Sequence, residues 1–337
     1  GLLFRSEPYH YVAGGQDQGV YVNMSQYYEN YGTIFIEDKL RKDLPASLKE
    51  SYDSENSVLH NSRGQRVYTP GVYVKDHENS EYVFQFYQMH PVWMSIFGKL
   101  FGDTNRVYAL VFFSLLSLVA FYLIAFELTK RKDLALLAGA LLAINPLHAF
   151  FSKFPVAEVV GLSFTTLSFY YLLKYYNLAK EETYLPVNLI LSVLLMSGMF
   201  FTRISGLMFM PFFFLILIMT QIYVDDGKLK KSLIYYVFSI FLVYALSIWY
   251  GLVFSNPYSK FIYKFTFYPL FGESWPIFLC YGFGLCLLLY IVVLFISKSP
   301  VNLKLRTHLS RSRAFIPYLF LILIVISLCK VYQLEFD

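Results

Sequence analysis

The sequence has 337 residues, of which 57% are hydrophobic, 20% aromatic and only 15% charged. Soluble domains average roughly 45–50% apolar and about 25% charged residues, so this composition excludes an ordinary soluble protein and indicates a polytopic membrane protein. The formal net charge of +5 does not indicate nucleic-acid binding, because most lysines and arginines lie in short loops between apolar runs, where they encode membrane topology. The three cysteines, Cys280, Cys286 and Cys329, fall inside apolar runs, so no disulfide framework is expected.

Residues 1–103 form a long polar region that is expected to contain structure of its own. Its first four residues, Gly1-Leu2-Leu3-Phe4, resemble the last turn of a helix, so a further helix is expected upstream of them. From Asp17 to Tyr31 apolar residues recur at helical spacing, and Gly32 follows as a stop signal. This pattern predicts an amphipathic helix that lies on the membrane surface with its tyrosines at headgroup depth.

The second half of the polar region predicts two further elements. Residues 72–74 and 82–87 are apolar and aromatic, and the segment between them is polar, which is typical of a β-hairpin. The dipeptide His90-Pro91 then leads into residues 92–101, where a second short amphipathic helix is expected to bring the chain back to the bilayer.

The remainder, residues 104–337, is predicted to be a bundle of about eight transmembrane helices. Each apolar run is close to the roughly 20 residues that a helix needs to cross the hydrocarbon core. The runs are at 106–129, 134–151, 156–177, 185–201, 205–224, 232–254, 275–297 and 314–332.

The connections between these runs differ in charge. One set of alternate loops holds thirteen Lys and Arg residues and the other holds four, so the positive-inside rule places the poorly charged set outside. Residues 1–103 share that outer face, because a single crossing separates them from the first basic loop. We therefore expect a multi-pass protein of a plasma or inner membrane with a large extracytoplasmic region.

Four of the charges expected on the outer face are candidate functional residues. They are Asp17, Lys153, Glu158 and Arg203, and ionisable groups at membrane boundaries are functional candidates by default. Structural explanations remain open for each of them. Asp17 could cap its helix, Lys153 and Arg203 could bind lipid headgroups, and Glu158 could favour the positive end of a helix dipole. His90 could be a metal ligand or a substrate contact, although no second ligand has suitable spacing.

The order of four short motifs resembles the C superfamily (GT-C) of membrane glycosyltransferases. The closest resemblance is to the family 39 type, which includes protein O-mannosyltransferases and the aminoarabinose transferase of lipid A. The motifs are Gln16-Asp17-Gln18 with Tyr21, Gln88 to Trp93, Ser152 to Glu158, and Thr202-Arg203-Ile204-Ser205-Gly206, and the resemblance covers about residues 1–225. The chain departs from the O-mannosyltransferases in two ways. It has one acid at position 17 where an Asp-Glu pair is usual, and one Pro after His90 where two are common.

This resemblance implies an all-α GT-C bundle with a long outer loop, and an inverting glycosyltransferase that takes its sugar from a polyprenyl-phosphate donor. The acceptor would be a hydroxyl of a lipid, glycan or protein. Asp17 would act as general base, Arg203 and secondarily Lys153 would bind the donor phosphate, and Glu158 and His90 would bind sugar hydroxyls or orient these cations. Tyr21 and Gln16 would complete the substrate site. No cofactor is required, and a divalent metal is optional.

Two other classes of function remain alternatives. A transporter or lipid flippase would line its substrate path with outer-face charges, but the sequence shows no repeat between halves, no pair of broken helices and no acidic residue at mid-membrane depth. A non-catalytic membrane scaffold could retain the same fold without the chemistry.

Overall fold

The structure, a computed structural model, describes residues 5–9, 17–49, 59–60, 66–69, 71–76 and 78–271. Residues 1–4, Gln16 and the two apolar runs expected at 275–297 and 314–332 lie outside the described residues.

Helices account for most of the described chain, which confirms the all-α fold class. Their bounds are α1 Asp17–Tyr31, α2 Lys39–Asp43, α3 Met89–Phe101, α4 Tyr108–Thr129, α5 Lys132–Ile144, α6 Pro146–Phe151, α7 Glu158–Lys180, α8 Pro186–Thr202, α9 Met210–Tyr223, α10 Gly227–Phe254 and α11 Asn256–Phe271. The helix expected from Asp17 is α1, and the second short helix is α3; the apolar side chains Val20, Tyr21 and Met24 of α1 pack in the protein core, and its position at the membrane surface stays a prediction.

Three helical stretches in the described residues are long and apolar enough to cross a membrane: Asp103–Thr129, Ile204–Gln221 and Gly227–Phe254. The neighbouring α7 is more polar, and it packs on α8 and α10 through buried hydroxyls. Ser168 Oγ lies 3.0 Å from Ser192 Oγ, which in turn lies 3.0 Å from the hydroxyl of Tyr236. Because hydroxyls in an apolar bundle need partners, this chain of hydrogen bonds fixes the lateral arrangement of the three helices.

The apolar run predicted at 134–151 is two helices, α5 and α6, and the single-helix interpretation was wrong. Pro146 has no backbone N–H to donate within a helix, and its ring disfavours continuation from the preceding turn. It is instead the first residue of α6, and the side chain of Asn145 caps that helix by accepting a hydrogen bond from the backbone N of His148 at 3.0 Å. This is the normal use of Asn at the N-cap and Pro at the first helical position.

Helix α11 was also absent from the sequence interpretation, which treated this segment as a loop. It follows directly on α10, and its side chains matter for the site described below.

The expected hairpin is present as two neighbouring interior strands of a larger antiparallel sheet. The strands are β1 Phe35–Glu37, β2 Leu59–His60, β3 Arg66–Thr69, β4 Val72–Asp76 and β5 Glu81–Phe84, in the spatial order β1-β5-β4-β3-β2. Tyr73 pairs with Val83, which confirms the predicted strand pairing.

Gly71 precedes β4 with φ +81°, and a Cβ on it would lie 2.2 Å from Cγ2 of Val20. The sheet therefore approaches α1 through a residue that has to be glycine.

One hydrophobic core joins α1, the sheet, α3 and the first turns of α4 and α7. Met24, Tyr82, Met94, Leu110 and Val160 are all fully buried in it. This core brings residues from both sides of position 103 into contact. The division of the chain into an outer region, 1–103, and a bundle, 104–337, stays a prediction.

A buried arginine reinforces the junction between α1 and α4. Arg106 is 2% exposed, its guanidinium lies 3.2 Å from Glu29 Oε2, and it donates to Ser25 Oγ at 3.0 Å. Because a buried cation needs a compensating charge and hydrogen bonds, these contacts hold α1 at a defined position over the bundle.

Candidate active site at the ends of α1, α7 and α8

Three charged residues meet at one end of the bundle because of where their helices begin and end. Asp17 is the first residue of α1, Glu158 is the first residue of α7, and Arg203 directly follows the last residue of α8. A connection of five residues joins α7 to α8, so the two helices pack antiparallel and the start of one lies beside the end of the other.

Arg203 and Glu158 form an ion pair, with Arg203 Nη1 2.5 Å from Glu158 Oε1. Their side chains are 31% and 36% exposed, so water reaches the pair but does not surround it. Arg203 Nε also donates to Ser205 Oγ at 3.2 Å. The guanidinium is therefore held by two partners while part of it stays accessible to a ligand.

Asp17 lies within the electrostatic field of this pair. Partial burial is the main cause that raises the pKa of its carboxyl; the negative charge of Glu158 raises it further, and the positive charge of Arg203 lowers it. Asp17 keeps solvent access at the start of α1, so this burial is only partial. A raised pKa makes Asp17 a stronger base than an isolated aspartate.

A glycine that the sequence interpretation did not consider makes the Arg203 position possible. Gly161 lies one turn after Glu158 on α7, and a Cβ on it would lie 2.9 Å from Met199 Sδ and 3.2 Å from Arg203 Cδ. A small residue at this point lets the end of α8 approach α7 closely.

Tyr21 lies one helical turn after Asp17 and is buried under the site. Its ring stacks on Phe86 with 4.5 Å between centroids, and it contacts the ring of His90 edge-on at 4.8 Å. Burial raises the pKa of the Tyr21 hydroxyl well above its ordinary value. Tyr21 therefore stays neutral, and it connects α1 to the re-entry segment before α3.

His90 is fully buried behind Tyr21. Neither of its ring nitrogens has a hydrogen-bond partner among the described residues. Burial, with a smaller contribution from the charge of Arg203, lowers the pKa of His90 to about 3, so the ring is neutral at physiological pH.

Lys153 is held away from the Asp17, Glu158 and Arg203 cluster. Its ammonium lies 6.0 Å from the centroid of the Tyr9 ring, and its carbonyl accepts a hydrogen bond from the backbone N of Tyr9 at 3.0 Å. Within the described ranges, no hydrogen bond or ion pair joins Lys153 to that cluster. Gln16, the remaining predicted site residue, lies outside the described residues.

Tyr258 of α11 reaches the same region, and sequence reasoning missed it. Its ring packs edge-on against Phe86 at 5.2 Å, and Ser255, at the junction of α10 and α11, donates to the carbonyl of Phe86 at 3.2 Å. Burial raises the pKa of Tyr258 to about 12, and the positive charge of Arg203 opposes this shift. The dipeptide Asn256-Pro257 is typical of a helix start, and it is the signal that could have revealed α11.

A cavity of about 210 Å³ adjoins Glu158 on the side of α5 and α6, and His148 and Asn145 also line it. Glu158 Oε2 has no hydrogen-bond partner among the described residues, so it can accept a hydrogen bond from a ligand. His148 is fixed in place, since Arg5 Nη2 lies 2.6 Å from its Nδ1 and Ser117 Oγ lies 2.7 Å from its Nε2. Because a guanidinium only donates, Nδ1 accepts and Nε2 carries the proton.

Among the described residues, no group of three or more His, Cys, Asp or Glu side chains is placed to hold a metal ion. Within the site, Asp17 and Glu158 are the carboxylates that a divalent ion could bind.

The sequence model of the dolichyl-phosphate-mannose-protein mannosyltransferase family matches residues 86–263, which is more than half of the chain. The chain belongs to this family. It is therefore an integral membrane protein and a glycosyltransferase by family. Searches of curated proteins and of solved structures found no match.

The region that matches this mannosyltransferase family differs from the one that the motifs suggested. It extends past residue 225 to include Tyr258, and it contains His90, Glu158 and Arg203. It begins after Asp17 and Tyr21, so the roles of those two residues rest on their positions in the structure and on the motif resemblance.

Proposed function

We propose that the protein transfers mannose from a polyprenyl-phosphate donor to a hydroxyl group of a protein acceptor, with inversion at the anomeric carbon. The observation that carries this proposal is the position of Asp17 beside the Arg203–Glu158 pair. A base for the acceptor and a cation for the departing phosphate lie at one end of the bundle. The choice of mannose and of a protein acceptor follows the name of the matched family.

Arg203 binds the phosphate of the donor. Its planar guanidinium can donate two parallel hydrogen bonds to phosphate oxygens, a geometry that lysine cannot reproduce. Glu158 orients the guanidinium through the ion pair, and its second oxygen is free to accept a sugar hydroxyl. As the bond between the anomeric carbon and the phosphate oxygen breaks, its electron pair moves to the phosphate, and Arg203 stabilises the added charge.

Asp17 acts as the general base. The acceptor oxygen attacks the anomeric carbon from the face opposite the phosphate while Asp17 takes the hydroxyl proton. One displacement forms the glycosidic bond and inverts the configuration, so a single carboxylate is sufficient. The surroundings that raise the pKa of Asp17 increase its basicity for this step.

The other predicted residues have supporting roles in this proposal. Tyr21 and His90 support the site from below through their ring contacts. Lys153 is a secondary contact for the donor phosphate. Gln16 precedes the base, Asp17, in the chain. Arg203 supplies the charge that the leaving phosphate needs, so a divalent ion is optional for the mechanism.

We further propose that the protein crosses the membrane several times and that this site faces the extracytoplasmic side. The distribution of Lys and Arg supports this orientation. The basic segments at 130–132 and 228–231 lie at helix ends opposite to the end that carries Glu158 and Arg203, and such segments remain on the cytoplasmic side.

The test is a transfer assay with the full chain in lipid nanodiscs, labelled polyprenyl-phosphate mannose and a peptide that contains Ser and Thr. Wild-type protein is expected to form a mannosyl peptide with the anomeric configuration opposite to that of the donor. Asp17→Asn should abolish transfer while the melting temperature stays unchanged, and the exposed-carboxylate control Glu37→Gln should keep full activity. Transfer by Asp17→Asn would overturn the role of the base. Lipid flipping without any glycosyl product would favour the transporter class.

A further inference from the structure

A second candidate binding region lies in the bundle, away from the charged cluster. It is a groove of about 650 Å³ between α4, α7, α9 and α10, which we call the inner groove. Its lining is almost entirely apolar and consists of Ile124, Phe169, Leu172, Leu173, Tyr176, Phe212, Leu215, Ile216, Met219, Thr220, Tyr223, Val224 and Leu233. Its volume falls within the range of about 300–1,000 Å³ that is typical of small-molecule sites.

The inner groove is far from the proposed chemistry. On α7 the lining residues run from Phe169 to Tyr176, which are 11 and 18 residues after Glu158. At 1.5 Å per residue, these positions lie about 16 and 27 Å along the helix axis from the start of α7. A molecule in the groove therefore occupies the half of the bundle opposite to Arg203.

The far end of the inner groove carries groups suited to a phosphate. The ammonium of Lys180 lies 4.4 Å from the centroid of the Tyr176 ring. Lys230 donates to the carbonyl of Gln221 at 3.0 Å, directly beside the lining residue Thr220. The hydroxyl of Tyr223 is buried and has no hydrogen-bond partner among the described residues. The inner groove thus ends beside two ammonium groups and a hydroxyl that has no partner in the described part of the chain, and this combination matches the two chemical parts of an anionic lipid.

We propose that the inner groove binds a glycerophospholipid of the surrounding membrane, with one acyl chain in the groove and an anionic headgroup at its far end. Lys180 and Lys230 bind the headgroup phosphate, and the hydroxyl of Tyr223 donates to an ester or phosphate oxygen. The lipid fills the space between α7 and α9 and stabilises their packing. This site is separate from the donor site at Arg203 and does not depend on the proposed transfer reaction.

Native mass spectrometry of the full chain tests the site, with palmitoyl-oleoyl phosphatidylglycerol titrated against phosphatidylcholine of the same chains. Phosphatidylglycerol is expected to bind at least tenfold more tightly. Ile216→Trp, which fills the groove, should abolish this preference, and Leu242→Trp, at a position that is 63% exposed on α10, should not. Lys180→Gln combined with Lys230→Gln should weaken binding about tenfold, whereas the exposed control Lys231→Gln should have no effect. Equal retention of phosphatidylglycerol by Ile216→Trp would overturn the proposal.

A photocrosslinking amino acid at Met219 in the full chain identifies the occupant without filling the groove. A crosslink to a phospholipid mass supports the proposal. A crosslink to a peptide from residues 272–337, or to a polyprenyl lipid, overturns it. This readout needs no transferase activity, so its failure and the failure of the proposed function are distinguishable.

Discussion

Arg203 Nη1 lies 2.5 Å from Glu158 Oε1, and this contact joins the end of α8 to the first residue of α7. The packing of α7 against α8 does not by itself require charged side chains at positions 158 and 203. Both side chains remain about one third exposed, so the ion pair combines a fixed guanidinium with access for a ligand. An exposed ion pair contributes little to stability, and its more important consequence is the orientation of the cation.

We expect Arg203→Gln to lower kcat/KM for the donor by a factor of about 100 or more, because loss of one preorganised donor to a developing charge typically costs about 2.7–4 kcal/mol. Arg203→Lys should recover only part of this loss, since lysine lacks the planar fork. Steady-state kinetics with varied donor measures the effect. Lys231→Gln, an exposed lysine at the opposite end of the bundle, is the matched control and should leave kcat/KM unchanged, whereas near-normal kinetics for Arg203→Gln would remove Arg203 from the site.

Gly161→Ala tests the close approach of α7 and α8. The added methyl would lie 2.9 Å from Met199 Sδ and 3.2 Å from Arg203 Cδ, so the end of α8 must move. We expect a loss of about 1–3 kcal/mol of stability and a fall in turnover, measured by thermal unfolding and by transfer assays. Gly139→Ala is the control, because the nearest atom to its new methyl is 3.7 Å away. Full turnover in a folded Gly161→Ala protein would contradict this interpretation.

The pH dependence of transfer should report Asp17. The base must be deprotonated, and its pKa is raised, so kcat/KM should fall on acidification with an apparent pKa above the ordinary value of about 3.9. Glu158→Gln removes a negative charge that raises this pKa, so the acidic side of the pH–rate profile of this variant should move to lower pH. Arg203→Gln removes the opposing cation and should move the acidic side of the profile to higher pH. Identical profiles on the acidic side in all three proteins would show that another group titrates.

Tyr258→Phe removes a hydroxyl near Arg203 and keeps the ring that packs on Phe86. If the hydroxyl donates to the phosphate, its loss should cost about 1.5–3 kcal/mol, seen as a tenfold or larger rise in the donor KM or fall in kcat. The melting temperature should not change. Tyr170→Phe, on α7 away from the site, is the control. Unchanged kinetics would assign Tyr258 to packing alone.

His90 should make stability depend on pH in a defined window. The unfolded chain protonates His90 below its ordinary pKa of about 6.5, whereas burial lowers the folded-state pKa to about 3. The unfolded state therefore binds the extra proton between these values, and stability falls with decreasing pH throughout that window. From pH 7 to pH 5, His90 should account for a loss of about 2 kcal/mol.

Thermal unfolding in detergent at several pH values checks this expectation. His90→Phe should reduce the change of melting temperature with pH between pH 5 and pH 6.5. Between pH 7 and pH 8, where His90 is neutral in both states, the melting temperature should change with pH as in the wild type. An unchanged slope between pH 5 and pH 6.5 would show that other groups cause it.

The sequence alone was sufficient for the membrane class, the helix that begins at Asp17, the hairpin and the cations beside the predicted membrane runs. These features depend on local properties, namely hydrophobic length, helical or strand periodicity and the positions of Lys and Arg. It was insufficient at residues 134–151, where one continuous apolar run was interpreted as a single helix across Pro146. The hairpin was also only part of a sheet, because pairing with β1 and β3 joins segments that are distant in sequence or weakly patterned.

Only the tertiary structure decided which candidates meet. Glu158 and Arg203 pair because an antiparallel turn returns α8 to the start of α7, and Gly161 leaves room for the aliphatic part of the Arg203 side chain. The sequence interpretation made Lys153 a secondary phosphate ligand beside Arg203, and in the structure the loop of Lys153 packs against Tyr9. His90 is buried behind Tyr21. Tyr258 packs on Phe86 from α11, a helix that the sequence interpretation had left out. Composition and spacing determine which segments enter the membrane, whereas packing between helices far apart in the chain determines which side chains share a site.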